Sequence, residues 1–294
     1  MGTRKLWITI VLLVLTCFGV SIVVWRRAEP EPSIGGKSLS TWLYEGYGNP
    51  PSVLVSQSAE QAVRSLGVEA VPFLLKWLER RDDGQLKKAI ISIAKKQRLI
   101  KTQYVRVNSP YQDALVLTWG SRFKVRYIPP RERYFMASCA FVALRSRAEE
   151  VVPMLVCMYE QNGGSVVRRC SILYALGRIG PEAKDALPLL LREANNPDVT
   201  VRQEAYSTLI DVNGEAEAVV PILIKGLQDP TPNIRYLSAV GLEMYGSKAH
   251  GAVSLLTSLL QEENRILATA PYSLEHRPMQ GALERALKKA QEAP

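Results

Sequence analysis

One short phrase recurs along this chain. Val71-Pro72-Phe73-Leu74-Leu75, Val152-Pro153-Met154-Leu155-Val156, Leu187-Pro188-Leu189-Leu190-Leu191 and Val220-Pro221-Ile222-Leu223-Ile224 are variants of it, and Val253-Ser254-Leu255-Leu256 is a degenerate fifth copy. From Pro153 the shared position returns at Pro188, Pro221 and Ser254, a nearly constant spacing. Self-similarity at such a period means supersecondary units stacked side by side, each touching its neighbours, and not a closed globule. A stack of this kind exposes a long surface, so interaction with a partner is its default function.

The unit is a helix pair. In the clearest copy, apolar residues at 183, 186, 187, 190 and 194 predict a first helix over Ala183 to Ala194. Asn195-Asn196-Pro197-Asp198 is the turn, and Val201, Ala205, Leu209 and Val212 predict a second helix over Val199 to Val212. Asn213-Gly214 suits a left-handed C-cap, and the charge of Glu215 suits the next helix start. Pro153, Pro188 and Pro221 are read as first-turn residues of the first helices, where a missing N–H costs nothing. A second signal has the same period. Arg169, Arg202 and Arg235 recur at equal intervals, each seven positions before Leu176, Leu209 or Leu242.

The segments Asp198-Val199-Thr200-Val201-Arg202-Gln203-Glu204-Ala205 and Pro232-Asn233-Ile234-Arg235-Tyr236-Leu237-Ser238-Ala239, followed by the Val-Pro phrase, resemble HEAT repeats, in particular the short type also found in phycobilisome-lyase-like proteins. The resemblance is strong over about 149 to 262 and weaker over 57 to 95; Ala137 stands where the arginine belongs in one unit. It implies an all-α, right-handed solenoid of about five or six antiparallel helix pairs, with first helices on one face and second helices on the other. It implies that Arg169, Arg202 and Arg235 are structural and bond to the preceding turn, often to its Asp. The alternative is a ladder for acidic peptides or phosphates. Met279 to Ala290, with Leu283, Ala286, Leu287 and Ala290 on one face, is read as a closing helix, which a solenoid needs.

Leu6 to Trp25 is a run without charge, long enough to cross a bilayer as a helix. It lacks a small-residue cleavage site, so residues 1–27 are read as an uncleaved transmembrane anchor and not a signal peptide. Val14-Leu15-Thr16-Cys17 is a poor match to a lipoprotein box. Basic residues flank the run almost evenly, so orientation is weakly set, and the reading leans towards the solenoid outside the cytoplasm. Residues 28–37, with Pro30, Pro32, Gly35 and Gly36, are read as a linker, and 38–294 as the solenoid. Ser38 or Ser40 is read as the N-cap of a short helix carrying Trp42 and Leu43.

The net charge of +9 is concentrated. Residues 95–133 hold ten basic and two acidic side chains and do not resemble a repeat. Gln103 to Val107 and Arg122 to Ile128 alternate polar and apolar, which predicts a hairpin or two extended strands laid over the solenoid. Lys101, Arg106, Arg122, Lys124, Arg126, Tyr127 and Arg131 are its candidate binding residues. They suit anionic lipid beside an anchor, or an acidic partner. Nucleic acid requires that the segment face the cytoplasm and is disfavoured. A plain insertion with solvated Lys and Arg is the alternative to all three.

Catalytic signals are missing. His250 and His276 stand near no cysteine and in no metal-ligand spacing, and no H-E-x-x-H, G-x-S-x-G or P-loop pattern occurs. Cys139, Cys157 and Cys170 lack disulfide or zinc spacing and are read as small buried hydrophobes. No cofactor is expected. The function expected is a membrane-anchored, non-catalytic scaffold for an unidentified protein partner; the second expectation is a phycobilisome-lyase-like modifier or chaperone-like enzyme.

Overall fold

The computed structural model describes residues 31–46, 56–79, 101–106, 113–119, 123–127, 130–161, 164–269 and 276–292, and over 101–132 it describes the backbone alone. The apolar run at 6–25 lies outside the described residues. Among the described residues no helix is long and apolar enough to cross a membrane.

Among those residues, helix pairs follow one another along the chain. The first helices are α1 (Leu39–Gly46), α3 (Val71–Glu79), α5 (Ala148–Gln161), α7 (Leu187–Glu193), α9 (Ala216–Gly226) and α11 (Val253–Thr269). The second helices are α2 (Gln57–Leu66), α4 (Pro130–Ala143), α6 (Val166–Ile179), α8 (Val199–Val212), α10 (Pro232–Tyr245) and α12 (His276–Gln291). Each second helix packs on the next along the array. Each unit alone would expose an apolar stripe; stacking buries it. Val201, Ala205, Leu209 and Val212 of α8 are fully buried, as are Val219 and Leu223 of α9. Full burial of one such Leu or Val contributes about 1.5–3 kcal/mol.

The joints between units repeat too. Gly67, Gly180 and Gly246 cap α2, α6 and α10 at positive φ, and Asn213 does the same for α8 at φ 48° and ψ 56°. The three glycines have ψ between −125° and −142°, a region essentially restricted to Gly, whereas Asn213 is in the left-handed helical region that Asn tolerates. Three-residue-per-turn helix then leads into the next first helix at Gly67–Ala70, Gly180–Ala186 and Gly246–Ala252, and also after α4, at Leu144–Arg147. The first helix expected from Ala183 therefore starts at Leu187, because Ala183 (φ −90°, ψ 18°) breaks the helical path.

The prolines follow the expectation in part. Pro188 sits in the first turn of α7. Pro153 and Pro221 lie inside α5 and α9, each five positions after the helix begins. The carbonyls that lose a partner there belong to Glu149 and Glu217, which are exposed. Exposure at these positions leaves the freed carbonyls open to solvent, which lowers the usual mid-helix penalty.

Two small sheets accompany the mostly helical array. β1 (Ser33–Ile34) and β2 (Lys37–Ser38) form a hairpin across Gly35-Gly36, within the stretch read as linker. The hairpin is tied down: Trp42 Nε1 donates to the Ile34 carbonyl at 3.0 Å, and the Lys37 ammonium lies 4.7 Å from the Trp42 ring centre. The short helix then starts at Leu39, directly after Ser38. The insertion between α3 and α4 holds a three-stranded antiparallel sheet, β3 (Lys101–Arg106), β4 (Asp113–Trp119) and β5 (Phe123–Tyr127), in that order. Two of these strands are legible as alternating segments; β4, Asp-Ala-Leu-Val-Leu-Thr-Trp, is too uniformly apolar to alternate.

Candidate functional site

The register of the inserted sheet sorts its candidate residues. Lys101 pairs with Thr118 and Thr118 with Lys124, while Gln103 pairs with Val116 and Val116 with Arg126. Directly paired residues share a face. Lys101, Lys124 and Arg126 are therefore on one face with Gln103 and Thr118. Arg106 and Tyr127 fall on the other, with Tyr104, Leu115, Leu117, Trp119, Phe123 and Val125. Arg131 is in the first turn of α4, and Arg122 lies outside the described residues.

The periodic arginines line the edge where first helices turn into second helices. Arg202 Nε donates to Asp229 Oδ2 at 2.9 Å, and its Nη1 donates to the carbonyls of Asn196 (2.8 Å) and Pro197 (3.3 Å). Its carboxylate partner is thus in the following turn, and the carbonyls are in the preceding one. Asp198 is occupied elsewhere: it caps α8, accepting from the Thr200 and Val201 N–H groups. Burial pushes the Asp229 carboxyl up, but Arg202 and the Thr231 N–H outweigh it and hold the group below the usual range. Arg235 Nη1 donates to the carbonyls of Asp229 (3.0 Å) and Pro230 (3.1 Å). Arg169 has its Nε buried without an acceptor among the described residues, and residue 196, where Asp229 has its counterpart, is Asn.

A buried carboxylate went unseen in the sequence. Glu193, at the end of α7, is 6% exposed. It accepts from Asn196 Nδ2 at 2.6 Å and Arg192 Nε at 2.9 Å, and Arg192 also reaches Glu160 of the preceding unit at 2.8 Å. Burial acts to raise the Glu193 carboxyl, and the hydrogen bonds of Asn196 and Arg192 outweigh it and hold the group below its usual range. Of the three cysteines, Cys139 and Cys170 are buried as expected, but Cys157 is exposed on α5, accepting from Gln161. Burial pushes the Cys139 thiol up against the opposing pull of Arg178.

Exposed large apolar side chains are segregated. Among the described residues they are Phe135 and Val142 on α4, Val167 on α6, Val199 on α8 and Met244 on α10. All are on second helices. Tyr134 and Tyr174 stack nearby with ring centres 5.1 Å apart, and the Tyr174 hydroxyl lies 3.0 Å from Ser138 Oγ. These residues add no beat to the repeated phrase, which is why the repeat pattern hid them. Two cavities open on the turn edge. One, of about 460 Å³, lies at Asn195, Arg202, Lys225 and Asp229; the other, of about 310 Å³, lies at Asn233, Arg235, Glu263 and His276.

Residues 152–243 and 188–275 match the family model described as HEAT repeats. This stretch of the chain is similar to HEAT repeats. The match does not separate the phycobilisome-lyase-like type from other HEAT repeats. The crystal structure of an engineered protein from the Northeast Structural Genomics Consortium aligns at 14% identity with a TM-score of 0.38, over 86% of this chain and 96% of that one. No curated protein matches the chain. HEAT repeats are commonly protein-interaction scaffolds, and the helix pairs here have that architecture.

Proposed function

We propose that this protein is a non-catalytic HEAT-repeat scaffold that takes a protein partner on its second-helix face. The observation that carries the reading is the confinement of exposed large apolar side chains to second helices. Solenoids use such continuous faces for binding, and partner contact would remove this apolar surface from water. Photo-crosslinking residues at Val142 and Met244, compared with the exposed first-helix position Glu160, test it. Capture of the same partner from both second-helix positions and not from Glu160 is expected. Capture from Glu160 alone refutes it.

Residues 6–25 tether the scaffold to a membrane in this proposal, with the repeats on the outer side. Support comes from the uncharged run and its flanking basic pairs. The basic face of the inserted sheet, with Lys101, Lys124 and Arg126, would then lie against anionic headgroups. Amine-reactive labelling of Lys101 and Lys124 in the full chain on vesicles with and without phosphatidylserine tests that contact. Equal labelling on both at low salt removes it.

A further inference from the structure

The smaller cavity, at the C-terminal end of the array, occupies the place that a carboxylate fills one unit earlier. Arg235 is the counterpart of Arg202, one full repeat further on. By the same step the counterpart of Asp229 is Glu262. The last unit does not turn where the others do. α9 ends at Gly226, but α11 runs on past the equivalent Leu259 to Thr269. Glu262 is consequently carried on the outside of a continuous helix, where it pairs with Arg265 at 2.7 Å. Arg235 keeps its two turn carbonyls through Nη1, and among the described residues nothing accepts from its Nε or Nη2.

The surroundings fit an incoming anion of one kind. Asn233 offers an amide beside Arg235, and α10 starts without the side-chain cap that Asp198 supplies to α8. Tyr236, Pro232, Pro278 and Met279 form apolar walls suited to an aliphatic stem and adjoining backbone. Glu263 also lines the cavity, but its Oε2 is held by His276 Nδ1 at 2.7 Å. A small dicarboxylate would set its second charge against Glu263. A single carboxylate on a neutral stem would not.

We propose that this cavity receives the side-chain carboxylate of an Asp or Glu on an extended segment of a protein partner, seated on Arg235 as Asp229 is seated on Arg202. The proposal rests on the scaffold reading for the source of that segment. A charged, forked donor with free N–H groups is the arrangement that binds a carboxylate through two bonds.

The test uses the full chain in detergent and the fluorescence anisotropy of a short, end-blocked, labelled peptide with one central Glu. Unlabelled Glu peptide, its Gln counterpart and succinate serve as competitors. The Gln peptide should compete about tenfold or more weakly, the loss expected for a charge-assisted hydrogen bond. Arg235→Gln should abolish the preference for Glu. Asn233→Asp, which places a carboxylate beside an intact Arg235, should do the same with an unchanged melting temperature. Arg265→Gln should change nothing. Equal competition by Glu and Gln peptides, or full binding by both Arg235→Gln and Asn233→Asp, overturns the proposal. Succinate competing better than the Glu peptide overturns the peptide assignment. Failure of the peptide with partner crosslinking at Val142 and Met244 intact refutes the cavity alone and leaves the scaffold standing.

Discussion

Arg202→Ala is expected to be among the most damaging single changes on the surface of the array. The guanidinium and the Asp229 carboxylate are 15% and 12% exposed, and they join two successive turns. The substitution removes both guanidinium donors from Asp229, which keeps only the Thr231 N–H, and leaves the carbonyls of Asn196 and Pro197 to water. Breaking a buried ion pair costs about 3–5 kcal/mol, and the residual exposure places this pair at the low end, about 3 kcal/mol. For a chain of this size that corresponds to a fall of about 6–12 °C in the melting temperature. Arg235→Ala provides the internal comparison. It loses hydrogen bonds to two turn carbonyls and no carboxylate, for about 1 kcal/mol. Thermal melts followed by circular dichroism should rank the two clearly. A double-mutant cycle of Arg202→Ala with Asp229→Ala should show coupling of about 1 kcal/mol or more. Equal effects of Arg202→Ala and Arg235→Ala, or additive behaviour in the cycle, would refute the assignment of the stabilisation to the pair between turns.

Three more outcomes follow from the geometry. Gly226→Ala would put a methyl 2.1 Å from Ser238 Oγ and 2.4 Å from Tyr206 Cε1, so it should destabilise by about 1–3 kcal/mol, measured by urea unfolding. Asn213→Ala keeps a β-carbon in the left-handed region at the end of α8 without the short polar side chain that makes it tolerable, and should cost about 1 kcal/mol, while Asn213→Gly should not. Asp229 and Glu193 both titrate below their ordinary range when folded. Their contribution is therefore complete above the unfolded carboxyl values near pH 4 and is lost as pH falls through the folded ones. Stability measured from pH 7 downward should stay flat to about pH 4.5 in this respect and then decline, and Asp229→Asn should flatten part of that decline.

The repeating units were legible because local chemistry and packing agree in them. Val199 to Val212 carries a helical apolar stripe, an Asp cap before it and an Asn after it, and the helix has those bounds. Its neighbours inherit the same logic at a fixed interval. What the sequence hid falls into two kinds. The first is structure set by contacts distant in the chain: Glu193 looks like any helix-end acid until Arg192, Asn196 and Tyr159 close around it. The second is structure in which two periods compete. The start of the first helices reads as α-helix, but the tighter turn at Gly180–Ala186 shifts the start to Leu187. Ser33 to Lys37 reads as linker by composition, yet paired glycines also make a hairpin turn, and Trp42 decides between them. The cavity at Arg235 was invisible for the opposite reason. It arises from a carboxylate displaced by the extra length of α11, and periodicity registers Glu262 without showing that its surroundings have changed.

The closing helix bears on how such an array changes length over generations. α12 turns Met279, Ala282, Leu283, Ala286 and Ala290 inward and leaves Arg277, Glu284, Arg285, Lys288 and Lys289 outside. A duplicated unit appended after it would meet charge and find nothing apolar to bury. Tandem duplication is therefore better tolerated in the interior, between Val166 and Tyr245, where each second helix packs on the next. Lineages carrying longer or shorter forms should differ there and retain the closing helix.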